Sequence, residues 1–141
     1  MIEKGATSGR PFNPSKAGGK ILNLSYQNVK ITDKGVALVE VHVRRFIPVG
    51  EAELDKAMLR MVERLRGITT QTLVAEPVDL RFYTHELREY LRYKKLGYPT
   101  GQPADPNEAY ELWNNAHTAT LEDYKLKEGF GVLFHPSVEE F

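Results

Sequence analysis

A chain of 141 residues suits one compact core, and 19 Lys+Arg against 19 Asp+Glu leave no bulk field to draw it to nucleic acid or an acidic membrane, so any such binding needs a local patch. The absence of cysteine excludes disulfides, thiol catalysis and cysteine-ligated zinc, leaving His, Asp and Glu as metal ligands. No apolar run approaches the ~20 residues of a spanning helix, and the N-terminus has no basic-then-apolar leader, so any export address is expected elsewhere.

Residues 1–20, MIEKGATSGRPFNPSKAGGK, are rich in Gly, Ser and Pro without apolar periodicity. They are expected to form a flexible lead-in that contributes nothing to a core. The domain proper is then 21–141, in which 21–31 alternates weakly, as a short extended piece would. Over 32–46 two patterns compete. Val39, Val41 and Val43 alternate with polar residues as in a strand, while Val36, Val39, Val43 and Phe46 recur at helical spacing. The length favours helix, with Thr32 as N-cap and Pro48 beyond the end.

Glu51 to Arg66 reads as an amphipathic scaffold helix, with Leu54, Met58, Met61, Val62 and Leu65 in one stripe and Gly67 after it. Residues 68–78 suit a brief strand or an extended connection. The central helix is expected over 82–97, capped by Thr84 and stopped by Gly97. At ~100° per residue, Leu87, Tyr90, Leu91 and the stem of Lys94 share one face, while His85, Arg88, Glu89 and Arg92 share the other.

After a Pro-rich loop, Asp105-Pro106-Asn107-Glu108 signals a helix start, with a cap, proline at the first position and a returning glutamate. This helix should run to about Tyr124, with Leu112, Trp113, Ala116, Ala119 and Thr120 inward and Glu111, Asn115, Thr118 and Glu122 outward. Asp123 falls inside the apolar arc, where a carboxylate needs a partner. The tail from Lys125 suits a terminal strand or an extended strap. The expected class is mainly α, in a single compact helical domain with at most a small strand element.

Two histidine faces carry the candidate chemistry. His85 opens its helix, where the macrodipole favours the neutral ring and so a proton acceptor. Arg88 and Arg92 are suited to a phosphate and its developing charge, and Glu89 to orienting a ring or acting as an acid. On the second helix His117 stands at the margin of the apolar stripe with Asn114 one turn before it. Asp123 is suited to a histidine or to a structural pair with an arginine. Each has a plainer reading: Arg88, Glu89 and Arg92 as a solvated, mutually paired surface, and His117 as a buried, satisfied ring.

His85-Glu86-Leu87-Arg88-Glu89 begins like a zinc-protease helix but carries Glu89 where the second histidine belongs. His85, Glu89, His117 and Asp123 still have the chemistry to surround one ion, although nothing in their spacing demands it. His42, in a Val-rich segment, and His135, before a proline, make weaker cases. Phosphate-cradling glycine loops, serine elbows and dinucleotide fingerprints are absent. The tyrosines around the two helices suit base stacking or the rim of a small core equally.

Three stretches, Gly9-Arg-Pro-Phe-Asn-Pro-Ser-Lys-Ala-Gly-Gly19, Tyr83-Thr-His-Glu-Leu-Arg-Glu-Tyr90 and Leu112-Trp-Asn-Asn-Ala-His-Thr-Ala-Thr-Leu-Glu-Asp-Tyr124, resemble the variable C-terminal modules of secreted bacterial proteins of the filamentous-haemagglutinin and contact-dependent growth inhibition type. The resemblance implies a toxin domain exported within a larger cell-surface protein, acting in the cytoplasm of a target bacterium and neutralised by a cognate immunity protein. Toxins of this class are most often nucleases. The combined expectation is a metal-independent RNase acting on tRNA or rRNA and needing no cofactor, because RNA carries its own 2′-hydroxyl nucleophile. His85 and His117 would share the base and acid roles, Arg88 and Arg92 would hold the phosphate, and Asn114 would position it. The alternatives are a DNase requiring a divalent metal and a non-enzymatic membrane-acting toxin or binding module. The lack of a strongly amphipathic membrane-active segment argues against stable membrane insertion.

Overall fold

The computed structural model describes residues 1–48 and 51–139. The protein is mainly helical with a small strand element, as its sequence leads one to expect. Its α-helices are α1 (Asp33–Arg44), α2 (Ala52–Thr69), α3 (Pro77–Lys95) and α4 (Pro106–Asp123). Two short strands, β1 (Glu3–Lys4) and β2 (Pro11–Phe12), pair antiparallel with Glu3 opposite Phe12. Among the described residues no helix is long and apolar enough to cross a membrane.

Two compact units are distinguishable. Unit 1 comprises Met1–Ser25 and Arg88–Glu128; unit 2 comprises Tyr26–Leu87 and the chain from Gly129 onward. The boundary at 87/88 falls within α3, whose first eleven residues thus belong to unit 2.

Unit 2 has an apolar core. Val36, Val39 and Val43 of α1 pack with Ala57, Met61, Val62 and Leu65 of α2, and Ile31, Phe82, Tyr83 and Val138 complete the cluster. The ambiguity over 32–46 resolves to helix because the i, i+3, i+7 valines form one buried stripe and Thr32 caps the start, its Oγ1 accepting from Gly35 N–H at 3.1 Å. Helix α2 overruns Gly67 and ends at Thr69, in a turn where Thr72 and Leu73 N–H both donate to the Gly67 carbonyl. Residues 70–76 therefore form a turn and coil in place of the brief strand.

Helix α3 starts seven residues before Thr84. Pro77 takes its first position, and Asp79 reaches back to accept from Glu76 N–H at 2.9 Å. Thr84 lies inside the helix, its hydroxyl bonded to the Leu80 carbonyl at 2.8 Å. Gly97, with φ +99°, ends the helix as expected. The two faces of α3 are not divided as their polarity suggests. His85, Glu89 and Arg92 are buried while Leu91 is exposed; Glu89 is paired there with His117 and Arg92 with Asp123.

Helix α4 begins as expected, with the Asp105 carboxylate accepting from Glu108 N–H at 3.0 Å. Asn115, Thr118 and Glu122 are buried, not outward-facing, and every residue from Asn115 to Asp123 is buried. What buries them in unit 1 is the supposed lead-in. Phe12 and Ala17 pack with Ala119 in a small apolar cluster. Around it, polar side chains of α4 take up the backbone of the N-terminal segment. Glu122 accepts from Thr7 and Ser8 N–H, Asn115 from Asn13 N–H and Asp123 from Leu22 N–H, while Asn114 donates to the Pro11 carbonyl. Residues 1–20 are thus structural, and 21–31 forms no strand.

The tail in unit 2 is a strap ending in a 3-10 turn, held by Arg81, which donates to the Val132 carbonyl at 2.7 Å and the Gly131 carbonyl at 3.2 Å. Its last two residues, 140 and 141, lie outside the described residues.

Candidate active site

Unit 1 places His117 between two carboxylates. Its Nδ1 lies 3.1 Å from Glu89 Oε2 and its Nε2 3.0 Å from Glu128 Oε2. Glu89 comes from α3 and is 2% exposed, whereas Glu128 comes from the coil after α4 and is 40% exposed, so the ring spans from interior to surface. Burial opposes a charge on this imidazole, but the hydrogen bonds it donates to Glu128 and Glu89 outweigh that and raise the pKa to about 9. At neutral pH the ring is therefore an imidazolium donating both N–H groups. The Trp113 indole stacks on it, with centroids 4.5 Å apart and planes 16° from parallel.

Arg10 completes the arrangement. Its guanidinium donates to Glu128 Oε1 at 2.9 Å, Thr118 Oγ1 at 3.1 Å and Asn114 Oδ1 at 2.8 Å, and lies 5.2 Å from the Trp113 ring centre. It is positioned by β2, which follows directly, and by Glu122, which clamps the Thr7 and Ser8 amides. Those two donors also keep Glu122 ionised: burial alone would raise its pKa, but the hydrogen bonds from Ser8 and Thr7 bring it below the usual carboxylate value.

The residues singled out in the sequence fall into two groups. His117, Glu89 and Asn114 join this arrangement, Glu89 as the partner of His117 and Asn114 as a support for Arg10. Arg88, Arg92 and Asp123 form a separate cluster around the buried Asp123, whose Oδ2 accepts from Arg88 at 3.1 Å and from Arg92 at 2.6 Å. Arg92 also donates to the Ala17 and Gly19 carbonyls, and burial lowers its pKa. Both arginines thus hold Asp123, and Arg92 also holds the Ala17–Gly19 backbone, so each of the two cations expected at a phosphate has a carboxylate partner inside the protein. Asp123 takes the second of its two expected roles, as the structural partner of arginines. His85 lies in unit 2, fully buried.

His42 and His135 are also in unit 2. His42 is 3.8 Å from Glu86, and His135 is 2.8 Å from Glu76. Within unit 1, Glu89 and Glu128 approach opposite edges of the His117 ring. Those contacts suit proton traffic along the ring.

Sequence reasoning missed the half-buried Arg10 and the exposed Glu128. Arg10 stood in a segment without periodicity, and Glu128 in a coil rich in Lys and Gly. The available signal was the polar pair Asn114-Asn115 followed by Thr118 and Glu122, all on a helix that also carries the Ala116, Ala119 and Leu121 core positions. Comparison with models of protein families, with curated proteins and with solved structures finds no match to this chain.

Proposed function

We propose that this chain is a toxin domain that cleaves RNA without a metal, using Glu128 as base, His117 as acid and Arg10 as the phosphate-binding cation. The observation that carries the reading is the arrangement of one exposed carboxylate between an imidazolium and a guanidinium, with a second carboxylate behind the ring. Phosphodiester transesterification needs a base at the 2′-hydroxyl, an acid at the leaving oxygen and positive charge at the phosphorane. Glu128 takes the 2′-hydroxyl proton as the 2′-oxygen bonds to phosphorus. The bond from phosphorus to O5′ breaks, and His117 Nε2 gives its proton to O5′. Arg10 stabilises the charge on the non-bridging oxygens. Glu89 holds Nδ1–H and keeps the ring oriented and charged.

In the free protein Glu128 occupies the Nε2 donor. Glu128 is on a coil, so the incoming phosphate can replace it there, in keeping with catalytic hydrogen bonds that reorganise when substrate binds. The resemblance to contact-dependent growth inhibition modules supports the wider role: delivery into a neighbouring bacterium, tRNA or rRNA as target, and neutralisation by an immunity protein.

The test is to incubate the purified domain with total bacterial RNA, with and without chelator, beside His117→Ala and Glu128→Gln. Discrete fragments that survive chelation and vanish in both variants are expected. Intact RNA with the wild-type protein, or undiminished cleavage by folded Glu128→Gln, would sink this mechanism. Cleavage of DNA that stops with chelator would shift the reading to the metal-dependent DNase.

A further inference from the structure

We propose that the cleft beside Arg10 in unit 1 is a subsite for an unpaired RNA base, which stacks on Tyr110 while its phosphate rests on Arg10 and Lys16. The inference rests on the RNA-cleaving reading of the same site and names the form of RNA it takes. The cleft measures about 610 Å³ and is lined by Arg10, Lys16, Tyr110, Glu111 and Asn114, among others. That volume is within the ~300–1,000 Å³ of small-molecule sites.

Three rings on α4 carry the argument. Tyr110, Trp113 and His117 stand three and four residues apart, so they share one helical face. Trp113 is stacked on His117, and Tyr110 lies 5.9 Å from Trp113 with its ring plane tilted by 43°. The series thus leads from the proposed acid to an open face, because Tyr110 is 61% exposed. A ring of that size left in water on a polar helix contributes little to a core, but it offers a π-face to a base. Charge completes the fit. Arg10 and Lys16 line the cleft on the N-terminal segment, and Glu111 is the acid in the helical wall, so a phosphate is favoured on the side of the segment and the base on the side of the helix.

The geometry selects single strands. In a duplex each base face is covered by its neighbours, so Tyr110 can be used only by a base already unstacked. Loops and single-stranded ends of folded RNAs are therefore expected as cleavage sites.

The test is fluorescence anisotropy with a labelled single-stranded oligoribonucleotide and a blunt RNA duplex of the same sequence, run in the Glu128→Gln background. Tyr110→Ala and Tyr110→Phe are compared, with folding checked by circular dichroism. Single-strand affinity is expected to fall by about tenfold in Tyr110→Ala, to return in Tyr110→Phe, and to exceed duplex affinity at the outset. Equal affinity for strand and duplex, or a Tyr110→Ala variant that binds like its parent, overturns the subsite. Cleavage by wild-type protein is scored separately. Tyr110-dependent binding without cleavage leaves the subsite standing and removes the mechanism; cleavage indifferent to Tyr110 does the reverse.

Discussion

Arg92 and Asp123 form an ion pair in which neither side chain touches solvent, with Nη2 2.6 Å from Oδ2. Removing one partner of such a pair leaves an uncompensated buried charge. Asp123→Ala is therefore expected to lower the unfolding free energy by about 3–5 kcal/mol, measured by urea denaturation. Arg88, at the margin of the same cluster and 19% exposed, should cost less. Folded Arg88→Ala should still cleave RNA, since Arg88 lies outside the proposed chemistry.

The raised pKa of His117 ties stability to pH. The ring is protonated more readily in the folded protein, at about 9 against 6.5 for an ordinary imidazole. Its stabilisation is complete below pH 6.5 and is lost as pH rises through about 9. The loss is on the order of 3 kcal/mol at most, seen as a fall in thermal midpoint across that window that is absent in His117→Gln. The same ionisation should give kcat/KM a falling limb near pH 9 if the imidazolium is the acid.

Glu128→Gln retains a hydrogen-bonding group at the surface but removes the base. It should fold normally and lose about 10²–10⁴-fold in cleavage rate, measured on a defined oligoribonucleotide. Arg10→Ala should lose about 10²–10³-fold, with Arg10→Lys recovering only part because one ammonium cannot reach Glu128, Thr118 and Asn114 together.

Glu122 acts at one remove, through the Thr7 and Ser8 amides that set the approach to Arg10. Glu122→Ala should cost about 1–3 kcal/mol for the unsatisfied donors and speed hydrogen exchange at those two amides. Because its carboxyl pKa is lowered in the fold, its contribution is present above the ordinary carboxylate value and is lost as pH falls through the depressed one.

In unit 2, Gly35 lets α1 approach the Tyr83 hydroxyl so closely that a Cβ would collide with it. Gly35→Ala should destabilise by about 1–3 kcal/mol despite alanine's better helix propensity, and Tyr83→Phe in the same chain should recover part of the loss.

Elements driven by apolar periodicity or a local cap were legible. The valine stripe of α1, the stripe of α2 and the Asp105-Pro106 start of α4 lie where the residues imply. Pro77 and Asp79 carry the same kind of signal as Asp105-Pro106, but Thr84 competes with them as a cap, because a capping hydroxyl mid-helix looks the same in sequence as one at the end. The site was half legible. His117, Glu89 and Asn114 announce themselves as polar residues on patterned helices. Arg10 and Glu128 reach them through long-range side-chain hydrogen bonds, which leave no trace in periodicity. The N-terminal segment looks flexible in sequence for the same reason, since its backbone is held by α4 carboxylates and amides more than by its own apolar residues.

The uninterrupted burial of Asn115 to Asp123, much of it polar, gives unit 1 a different thermal character from the apolar core of unit 2. Exposing apolar surface raises heat capacity by about 0.45 cal/K/mol/Å², while exposing polar surface lowers it by about 0.26. Melting unit 1 should therefore absorb less heat capacity per residue than melting unit 2. Cooling, which weakens hydrophobic burial, should take more from the valine core of unit 2 than from the polar mesh around His117.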